Sequence, residues 1–394
     1  MKSKKIIAIF LTILIIATAS GCSSTQSSST ASTTENAVEG SALVTTELFS
    51  DRDYEQTADT SKAQYITVVG GEDITINEEG VYVISGDAEE VTIVVEAEET
   101  AKVQIVLDGV SITNTDAPAI YVKTGDKVFV TTTDSENDFE VTGTYSADGE
   151  TNLDAVIFSK SDLVLNGIGT LNISSATGNG ITSKDDLKIT GGSYTITASK
   201  DGLEANDFVG ITDGTIHINA GADAIHSEND EDDSQGSIYI SGGTLEITAG
   251  DDGIRGTSVV QVDGGNINIT SSVEGIEGTY IQINDGTITV YATDDGINAT
   301  SKSTSYDVII EVNGGNLTVE VGSGDTDAFD ANGTIIINDG IVNVTANSGF
   351  DWDVAGELNG GTVTLNGEVI TELPESMMGG GGKGGMGGNR SRWQ

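Results

Sequence analysis

The stretch Ser237–Ser258, SIYISGGTLEITAGDDGIRGTS, decides the fold. Apolar and polar residues alternate on both sides of the pair Gly242-Gly243, and a second turn follows at Asp251–Gly253. Alternation with a period of two predicts short strands, and glycine pairs and Asp-Gly mark the turns between them. The stretch therefore predicts two or three short strands joined by tight turns.

The same pattern recurs before and after this stretch at a nearly constant spacing. The second glycine of the turn returns after 22 residues from Gly243 to Gly265 and after 21 residues from Gly265 to Gly286. The intervals Gly214 to Gly243 and Gly286 to Gly315 are both 29 residues, so about seven extra residues lie in a loop of each. Repeats of this size, made of strands and turns, form one coil each and stack on their neighbours. The sequence therefore predicts an all-β parallel β-helix, a solenoid with coils of about 21–29 residues.

The charge of the chain restricts its partners. The sequence contains 62 acidic residues and 17 Lys or Arg, a formal net charge of −45. Nucleic acid is excluded as a partner because its phosphates would be repelled. A surface with this charge needs salt or bound cations to screen it.

The two ends of the chain differ from the repeats in composition. A basic start and the apolar run Ile6–Ala17 precede Ala19–Cys22, which resembles a lipobox. Cys22 is the single cysteine, and we expect it to carry a lipid that anchors the protein at the extracellular face of the cell membrane. The predicted organisation is a lipoprotein signal peptide at 1–22, a Ser/Thr-rich linker at 23–45, the β-helix at 46–375 and a Gly-rich disordered tail at 376–394.

One polar residue per repeat precedes a Gly-apolar or Ala-apolar pair in the second turn. In stacked coils these residues would form a column with a spacing of about 4.8 Å. Acidic side chains at that spacing repel one another and raise one another's pKa, which a bound cation relieves. The column consists of Asp154, Asn179, Asp201, Asp223, Asp252, Glu274, Asp295, Asp327 and Ser348.

Further oxygen donors follow these positions in the sequence, and calcium takes six to eight oxygen ligands. Turn chemistry is an alternative explanation, because Asp-Gly and Asn-Gly are common in tight turns without a metal. It accounts for one acid per coil but does not require the second acid, as in Asp201 with Glu204 or Glu274 with Glu277. The predicted Ca²⁺ ligands are Asp201, Glu204, Asn206, Asp207, Asp223, Asp252, Glu274, Glu277, Asp294, Asp295, Asp327 and Asp330.

Several segments together resemble a known family. They are FSDRDYE (49–55), VLDGVSI (106–112), AIYV (119–122), AVIFSKSDLVLNGIGTL (155–171), GITSKDDLKITGG (180–192), NDEDDSQGSIYISGGT (229–244) and AGDDGI (249–254). The chain is similar in these segments to bacterial carbohydrate-binding domain-containing surface proteins. The resemblance implies a right-handed parallel β-helix, similar in fold to family 9 pectate lyases, that binds calcium and plant-type polysaccharides such as cellulose or acidic, polygalacturonate-like sugars.

Three functions remain open at this stage, and the sequence favours the first. The chain could bind polysaccharide through calcium, with rings that stack on sugars. It could be a calcium-dependent lyase acting by β-elimination, with Lys200 or Arg255 as the base, although for Arg255 an ion pair with the acidic column is the favoured interpretation. The lyase relatives use a lysine beside calcium, and Lys184 has similar surroundings. The chain could also be a structural adhesin. The rings considered are Tyr194, Tyr239, Tyr280, Tyr291 and Trp352.

Overall fold

The computed structural model describes residues 42–324 and 326–374, and this part of the chain is almost entirely β. Short 3-10 helices at Thr45–Glu47, Asp51–Tyr54 and Thr60–Lys62 precede the first strand. Within these residues no helix is long and apolar enough to cross a membrane. The predicted signal peptide with Cys22, most of the linker and the tail at 376–394 lie outside the described residues.

The strands are short and are numbered here in chain order. The first half comprises β1 Gln64–Thr67, β2 Ile74–Ile76, β3 Gly80–Glu89, β4 Ile93–Glu96, β5 Lys102–Asn114, β6 Ile120–Thr124, β7 Lys127–Thr132, β8 Glu136–Val141, β9 Ala155–Ser159, β10 Asp162–Gly167, β11 Thr170–Ser175, β12 Asn179–Ser183, β13 Asp186–Ala198, β14 Leu203–Ala205, β15 Phe208–Ala220, β16 Ile225–Ser227 and β17 Ser237–Ile240. The second half comprises β18 Thr244–Thr248, β19 Ile254–Gly256, β20 Val259–Val262, β21 Asn266–Ser272, β22 Ile276–Gly278, β23 Tyr280–Ile283, β24 Thr287–Ala292, β25 Ile297–Ala299, β26 Ile309–Val312, β27 Asn316–Val321, β28 Asp327–Ala331, β29 Thr334–Ile337, β30 Ile341–Thr345, β31 Ser348–Trp352, β32 Ala355–Leu358, β33 Thr362–Leu365 and β34 Glu368–Ile370.

Equivalent strands of successive repeats pair in parallel and form three columns. The first column contains β7, β10, β17, β20, β23, β26, β29 and β32, and the second contains β8, β11, β18, β21, β24, β27, β30 and β33. The longer strands β3, β5, β13 and β15 belong to both. The third column is a separate sheet of twelve short strands, from β2 to β31. Apart from the antiparallel pair β33–β34, the named strands pair in parallel. The all-β, parallel architecture predicted from the repeats is confirmed.

The inward faces of the three columns form one hydrophobic core. In the third column Ile225, Ile254, Ile276 and Ile297 occupy equivalent positions on successive strands, and all four are fully buried. Such a stack of branched aliphatic side chains buries apolar surface in every repeat and holds neighbouring coils in register. The residue after each isoleucine faces outward, and these outward residues form the edge on which the acidic residues lie.

The turns after the first column are held by a ladder of amide side chains. Each amide Nδ2 donates to the equivalent side-chain oxygen of the preceding repeat, at 2.7 Å from Asn284 to Asp263 and 2.8 Å from Asn313 to Asn284. The following glycine has a positive φ, 114° at Gly286, which explains why glycine recurs at this place. These turns are therefore structural and lie apart from the acidic turn.

Residues Ala42–Gln56, here called the strap, lie across the outward face of the first column. The backbone N–H of Leu43 donates to Gln261 Oε1 at 2.8 Å, and Gln56 Nε2 donates to the carbonyl oxygen of Thr190 at 2.9 Å. The strap explains why outward residues of this column are buried, with Gln282 at 0% exposure. The carboxylate of Asp53, within the strap, is also fully buried.

Candidate functional site

The third column ends in the acidic turn predicted from the sequence, and the structure stacks these turns directly. The N–H of Gly253 donates to the carbonyl oxygen of Glu274 at 2.9 Å, and the N–H of Gly275 donates to that of Asp295 at 3.0 Å. The outward positions on the adjacent strands are also in register, so that Arg255 lies beside Glu277. Two rows of polar side chains thus follow one edge of the repeats, here called the acidic edge.

Part of each acidic side chain serves the fold itself. Asp201 Oδ1 accepts the N–H of Asp223 at 3.0 Å, and Asp223 Oδ1 accepts the N–H of Asp252 at 2.9 Å. Asp295 Oδ1 accepts the N–H of Asp327 at 2.7 Å in the same way. Turn chemistry therefore explains one oxygen of these carboxylates, and the second oxygen remains for other contacts.

Four carboxylates converge at the centre of the acidic edge. Asp252, Glu274 and Glu277 place oxygen atoms within 4.8 Å of one another, and Asp223 and Asp252 do so together with Asp251. Glu274 Oε2 is buried and has no hydrogen-bond partner among the described residues. An unsatisfied buried carboxylate oxygen is costly unless a cation or a donor meets it. We call Asp223, Asp252, Glu274 and Glu277 the central cluster.

Two basic side chains compensate part of this charge. Arg255 Nη1 lies 3.3 Å from Asp223 Oδ2 and Arg255 Nε lies 3.3 Å from Glu277 Oε2, while Lys302 Nζ lies 2.9 Å from Glu277 Oε2. Four carboxylates facing two cations leave an excess of two negative charges when all are ionised. An all-oxygen donor set with this excess could hold a divalent metal ion.

The pKa values in the central cluster report the same uncompensated charge. Burial and then the nearby Asp223 raise the pKa of Asp252 to about 8. Burial raises the pKa of Glu274 to about 7. A hydrogen bond with Asn298 lowers this pKa, and the charge of Glu277 raises it further. Without a metal ion, protons therefore occupy part of the central cluster at neutral pH.

This titration predicts how stability depends on pH in the absence of divalent cations. The raised pKa values of Asp252 and Glu274 mean that the folded chain keeps protons that the unfolded chain has released between about pH 5 and about pH 8.5. The free energy of unfolding therefore falls as the pH rises across this range. We expect the unfolding midpoint measured in EGTA to drop by about 5 °C. The Asp252→Asn/Glu274→Gln variant should show a smaller drop, and an equal drop in both proteins would contradict the assignment.

A second group of predicted ligands lines an open cleft of about 570 Å³ beside the acidic edge. Lys184 Nζ lies 3.1 Å from Glu204 Oε1, and Asn229 Nδ2 donates to Asp207 Oδ1 at 2.5 Å. Asn206 also lines this cleft. The two acids therefore already have partners, and the cleft is a weaker candidate for a metal ion than the central cluster.

His226 links the cleft to the acidic edge. Its Nδ1 lies 3.4 Å from Asp201 Oδ2, and its Nε2 lies 3.1 Å from Glu228 Oε2. Burial alone would lower the pKa of His226, but the hydrogen bond with Asp201 and the charge of Asp223 outweigh it and raise the pKa. The spacing in the sequence places His226 in the same row as Glu204 and Arg255, but its contacts with Asp201 and Glu228 appear only in the structure.

The remaining predicted ligands lie further along the acidic edge. Burial and the charges of Asp295 and Asp327 raise the pKa of Asp330 to about 7. Asp294 is exposed next to Asp295. These residues continue the acidic edge from the central cluster, since the carbonyl oxygen of Asp295 accepts the N–H of Gly275 in the neighbouring turn.

Sequence reasoning missed one further acidic group. Oxygen atoms of Asp162, Asp185 and Asp186 lie within 4.8 Å of one another, and burial with the charge of Asp162 raises the pKa of Asp185 to about 6. Lys127 Nζ lies 3.5 Å from Asp162 Oδ2, and Lys188 Nζ lies 2.9 Å from Asp186 Oδ2. Two of the three acids therefore form ion pairs. The adjacent acids of SKDDL were the available signal, but Asp162 joins them only through strand pairing.

The two candidate bases have different surroundings. Lys200 is exposed in the turn next to Asp201. The guanidinium of Arg255 is partly desolvated, which would lower its pKa, but the carboxylates of Asp223 and Glu277 outweigh this and raise it. A guanidinium in that state does not abstract a proton. The geometry therefore favours the ion-pair alternative for Arg255.

The predicted stacking rings are mostly not available to a ligand. Tyr194 and Tyr239 are buried, and Tyr280 donates its hydroxyl to Glu311 Oε2 at 2.7 Å. Trp352 is half-buried and packs against the core. Tyr291 is 40% exposed on the second column. The prediction that Tyr194 and Tyr239 stack on sugars is therefore wrong, because both rings are buried.

Comparison with known proteins places this fold and site in a family. A family model described as carbohydrate-binding domain-containing protein matches residues 70–325 and 262–366. A carbohydrate-binding domain-containing protein of Acetivibrio thermocellus is 33% identical over 135 residues, which are 33% of this chain and 46% of that protein. The match therefore spans about half the length of that relative.

A solved structure is also similar. It is that of the polysaccharide lyase-like protein from C. thermocellum, determined as a gadolinium derivative, with 24% sequence identity and a TM-score of 0.43 over 79% of this chain and 99% of that chain. The family model, in contrast, matches well over half of the sequence. This chain belongs to the family of carbohydrate-binding domain-containing proteins.

Proposed function

We propose that this protein binds polysaccharide in a calcium-dependent manner at the acidic edge, with the central cluster as the metal site. The observation that carries the proposal is the buried Glu274 Oε2, which has no hydrogen-bond partner among the described residues. The Glu274 carboxylate also places an oxygen within 4.8 Å of oxygens of Asp252 and Glu277. Family membership supports a carbohydrate ligand.

Calcium suits this donor set better than magnesium does. The candidate ligands are carboxylates from successive repeats, and carboxylates with flexible geometry suit calcium, whereas magnesium demands a tight octahedron and keeps several waters. Asp223 Oδ1 accepts the backbone N–H of Asp252, and Arg255 and Lys302 both contact Glu277 Oε2. The chain thus orients the carboxylates of Asp223 and Glu277 before any ion arrives.

An acidic polymer is the ligand class that needs such an ion. The edge carries an excess of negative charge, so a uronate carboxylate would be repelled by Asp252 and Glu274. Bound calcium would supply a cation that both the protein carboxylates and the sugar carboxylate can share. Successive repeats present equivalent turns along the acidic edge, which suits a ligand that is itself a repeating polymer.

We also propose the finer architecture and location. Parallel strands joined by crossover connections are right-handed in nearly all known cases, so the three columns are those of a right-handed parallel β-helix. Cys22 is the lipidation site, and the Ser/Thr-rich segment after it tethers the domain at the extracellular face of the cell membrane.

A pull-down assay tests the binding proposal. The purified protein is mixed with insoluble polygalacturonate or cellulose, with calcium or with EGTA. We expect retention on polygalacturonate with calcium, and loss of retention with EGTA or in the Asp252→Asn/Glu274→Gln variant. The matched control is Asp213→Asn/Asp285→Asn, which makes a comparable charge change at two exposed turns outside the acidic edge. Retention on polygalacturonate that is equal with EGTA and with calcium would contradict the proposal.

The same samples separate binding from β-elimination. An absorbance assay for unsaturated sugar products is run on the soluble fraction. We expect retention without products. Products that disappear in Lys200→Ala but persist in Lys160→Ala, an exposed lysine on another turn, would identify a lyase instead.

A further inference from the structure

The two longer repeats interlock through their extra residues. The loop after β16 and the loop after β25 belong to repeats that are separated by two repeats of ordinary length, yet the loops meet in the structure. Asp233 Oδ2 accepts hydrogen bonds from the N–H of Thr304 at 2.7 Å and from its hydroxyl at 2.8 Å, and Asp233 Oδ1 accepts from the hydroxyl of Ser305 at 3.1 Å. These bonds fix Tyr306, the next residue, in a half-buried position.

These loops and the strap enclose a pocket above the first column. Its volume is about 340 Å³, within the range of roughly 300–1,000 Å³ that small-ligand sites occupy. The strap contributes one wall with Leu43 and Leu48, and the loops contribute Gln235 and Tyr306. The pocket therefore exists only where three segments that are distant in sequence come together.

A buried lysine and aromatic rings line the inner side of this pocket. The side chain of Lys188 is 8% exposed, and its Nζ lies 2.9 Å from Asp186 Oδ2. The same Nζ lies 5.8 Å from the ring centre of Phe49 and 5.7 Å from that of Phe208. The ammonium group is therefore held between a carboxylate and two rings, and it does not move freely.

The charges around the pocket favour a neutral ligand. Glu47, Asp186 and Asp207 line it together with Lys188, so carboxylates outnumber the single ammonium group. An anionic sugar would meet net negative charge there. Carboxylate and amide oxygens instead accept hydrogen bonds from hydroxyl groups, and an aromatic ring offers a face to the C–H side of a pyranose.

We propose that this pocket is a calcium-independent subsite for one neutral hexopyranose unit, stacked on Tyr306 and hydrogen-bonded to Gln235 and Asp207. The proposal rests on the proposed polysaccharide-binding function and adds a second ligand class at a second place. The subsite lies on the first column, whereas the central cluster lies at the edge of the third.

Calorimetry with cellohexaose in EGTA tests this subsite directly. We expect the wild-type protein to bind cellohexaose in EGTA. Tyr306→Ala should weaken this binding about tenfold, and Gln235→Ala by a smaller factor. The control is Tyr65→Ala, which removes an exposed tyrosine that does not line the pocket and should leave binding unchanged. Thermal unfolding of each variant confirms that it is folded, and Gln235→Ala serves if Tyr306→Ala does not fold.

Three results would overturn the subsite. The first is no cellohexaose binding in EGTA. The second is binding by Tyr306→Ala and Gln235→Ala that equals that of the wild type. The third is weakening by Tyr65→Ala that equals the weakening by Tyr306→Ala. Cellohexaose binding could instead require calcium and be lost in Asp252→Asn/Glu274→Gln. That result would show that the sugar binds at the acidic edge. It would reject the subsite and support the calcium proposal. If the wild-type protein is not retained on polygalacturonate with calcium but still binds cellohexaose, the calcium proposal alone is rejected.

Discussion

We expect calcium to raise the unfolding midpoint of the wild-type protein, and we expect the Asp252→Asn/Glu274→Gln variant to lose this response. A ligand at a hundredfold its Kd stabilises a folded protein by about 2.7 kcal/mol, or several degrees for a domain of this size. The variant removes two of the four carboxylates of the central cluster and with them the charge that attracts the ion. Thermal unfolding with and without calcium measures the effect.

The variant should also differ from wild type without calcium. In EGTA above about pH 8 we expect it to be more stable than wild type. Burial and then repulsion between carboxylates raise the pKa of Asp252 and Glu274, and neutral amides avoid both costs. Asp213→Asn/Asp285→Asn is the control, since each Asn keeps the side-chain oxygen that accepts the following glycine N–H. A full calcium response in the double variant would exclude the central cluster as the metal site.

Asp53→Ala is expected to release the strap and to lower the free energy of unfolding by about 3 kcal/mol. Its carboxylate is fully buried, accepts the N–H of Ser50 at 2.9 Å and lies 3.3 Å from Lys127 Nζ. Removal leaves a nearly buried ammonium group with a weaker partner, Asp162, at 3.5 Å. Denaturant unfolding measures the loss of stability.

Hydrogen exchange shows whether the strap itself has detached. The N–H of Gly167 donates to Gln56 Oε1, and the N–H of Leu43 donates to Gln261 Oε1, so both should exchange faster in Asp53→Ala. The control is Asp51→Ala, an exposed acid in the same short helix. Unchanged exchange at Gly167 together with unchanged stability would show that the strap does not depend on this ion pair.

The sequence was sufficient to predict an all-β architecture of parallel strands, because this architecture depends on a local, repeated pattern. Alternation around each Gly-Gly or Asp-Gly turn gives the strands, and the constant spacing gives the parallel pairing of successive repeats. The same spacing aligned Asp223, Asp252 and Glu274 in one row, and the structure stacks them in that order. The resemblance to carbohydrate-binding domain-containing proteins is confirmed by the family model.

The strap could not be predicted, because its contacts join residues far apart in sequence. Leu43 contacts Gln261, and Asp53 contacts Lys127 and Asn166, while the segment itself shows no periodicity. One signal was present in the strands that it covers. Residues such as Gln261 and Gln282 are uncharged at outward positions, where the second column carries Glu246 and other exposed residues.

The candidate site was predicted as a row of acids, but its centre was not. Which acids remain uncompensated depends on the bases between them, and Arg255 and Lys302 reach Glu277 from different repeats. Burial and the neighbouring charges decide the rest, since they raise the pKa of Asp252 to about 8 and that of Glu274 to about 7. Tyr306 was missed because its position depends on the bonds between Asp233 and the neighbouring loop.

Calcium titration by calorimetry at pH 7, in buffers of different ionisation enthalpy, tests the central claim most directly. The dependence of the measured heat on the buffer gives the number of protons released on binding. Because the pKa of Asp252 is about 8 and that of Glu274 about 7, calcium binding at the central cluster should release about one proton per ion. No calcium binding, or binding without proton release that persists in Asp252→Asn/Glu274→Gln, would contradict the account.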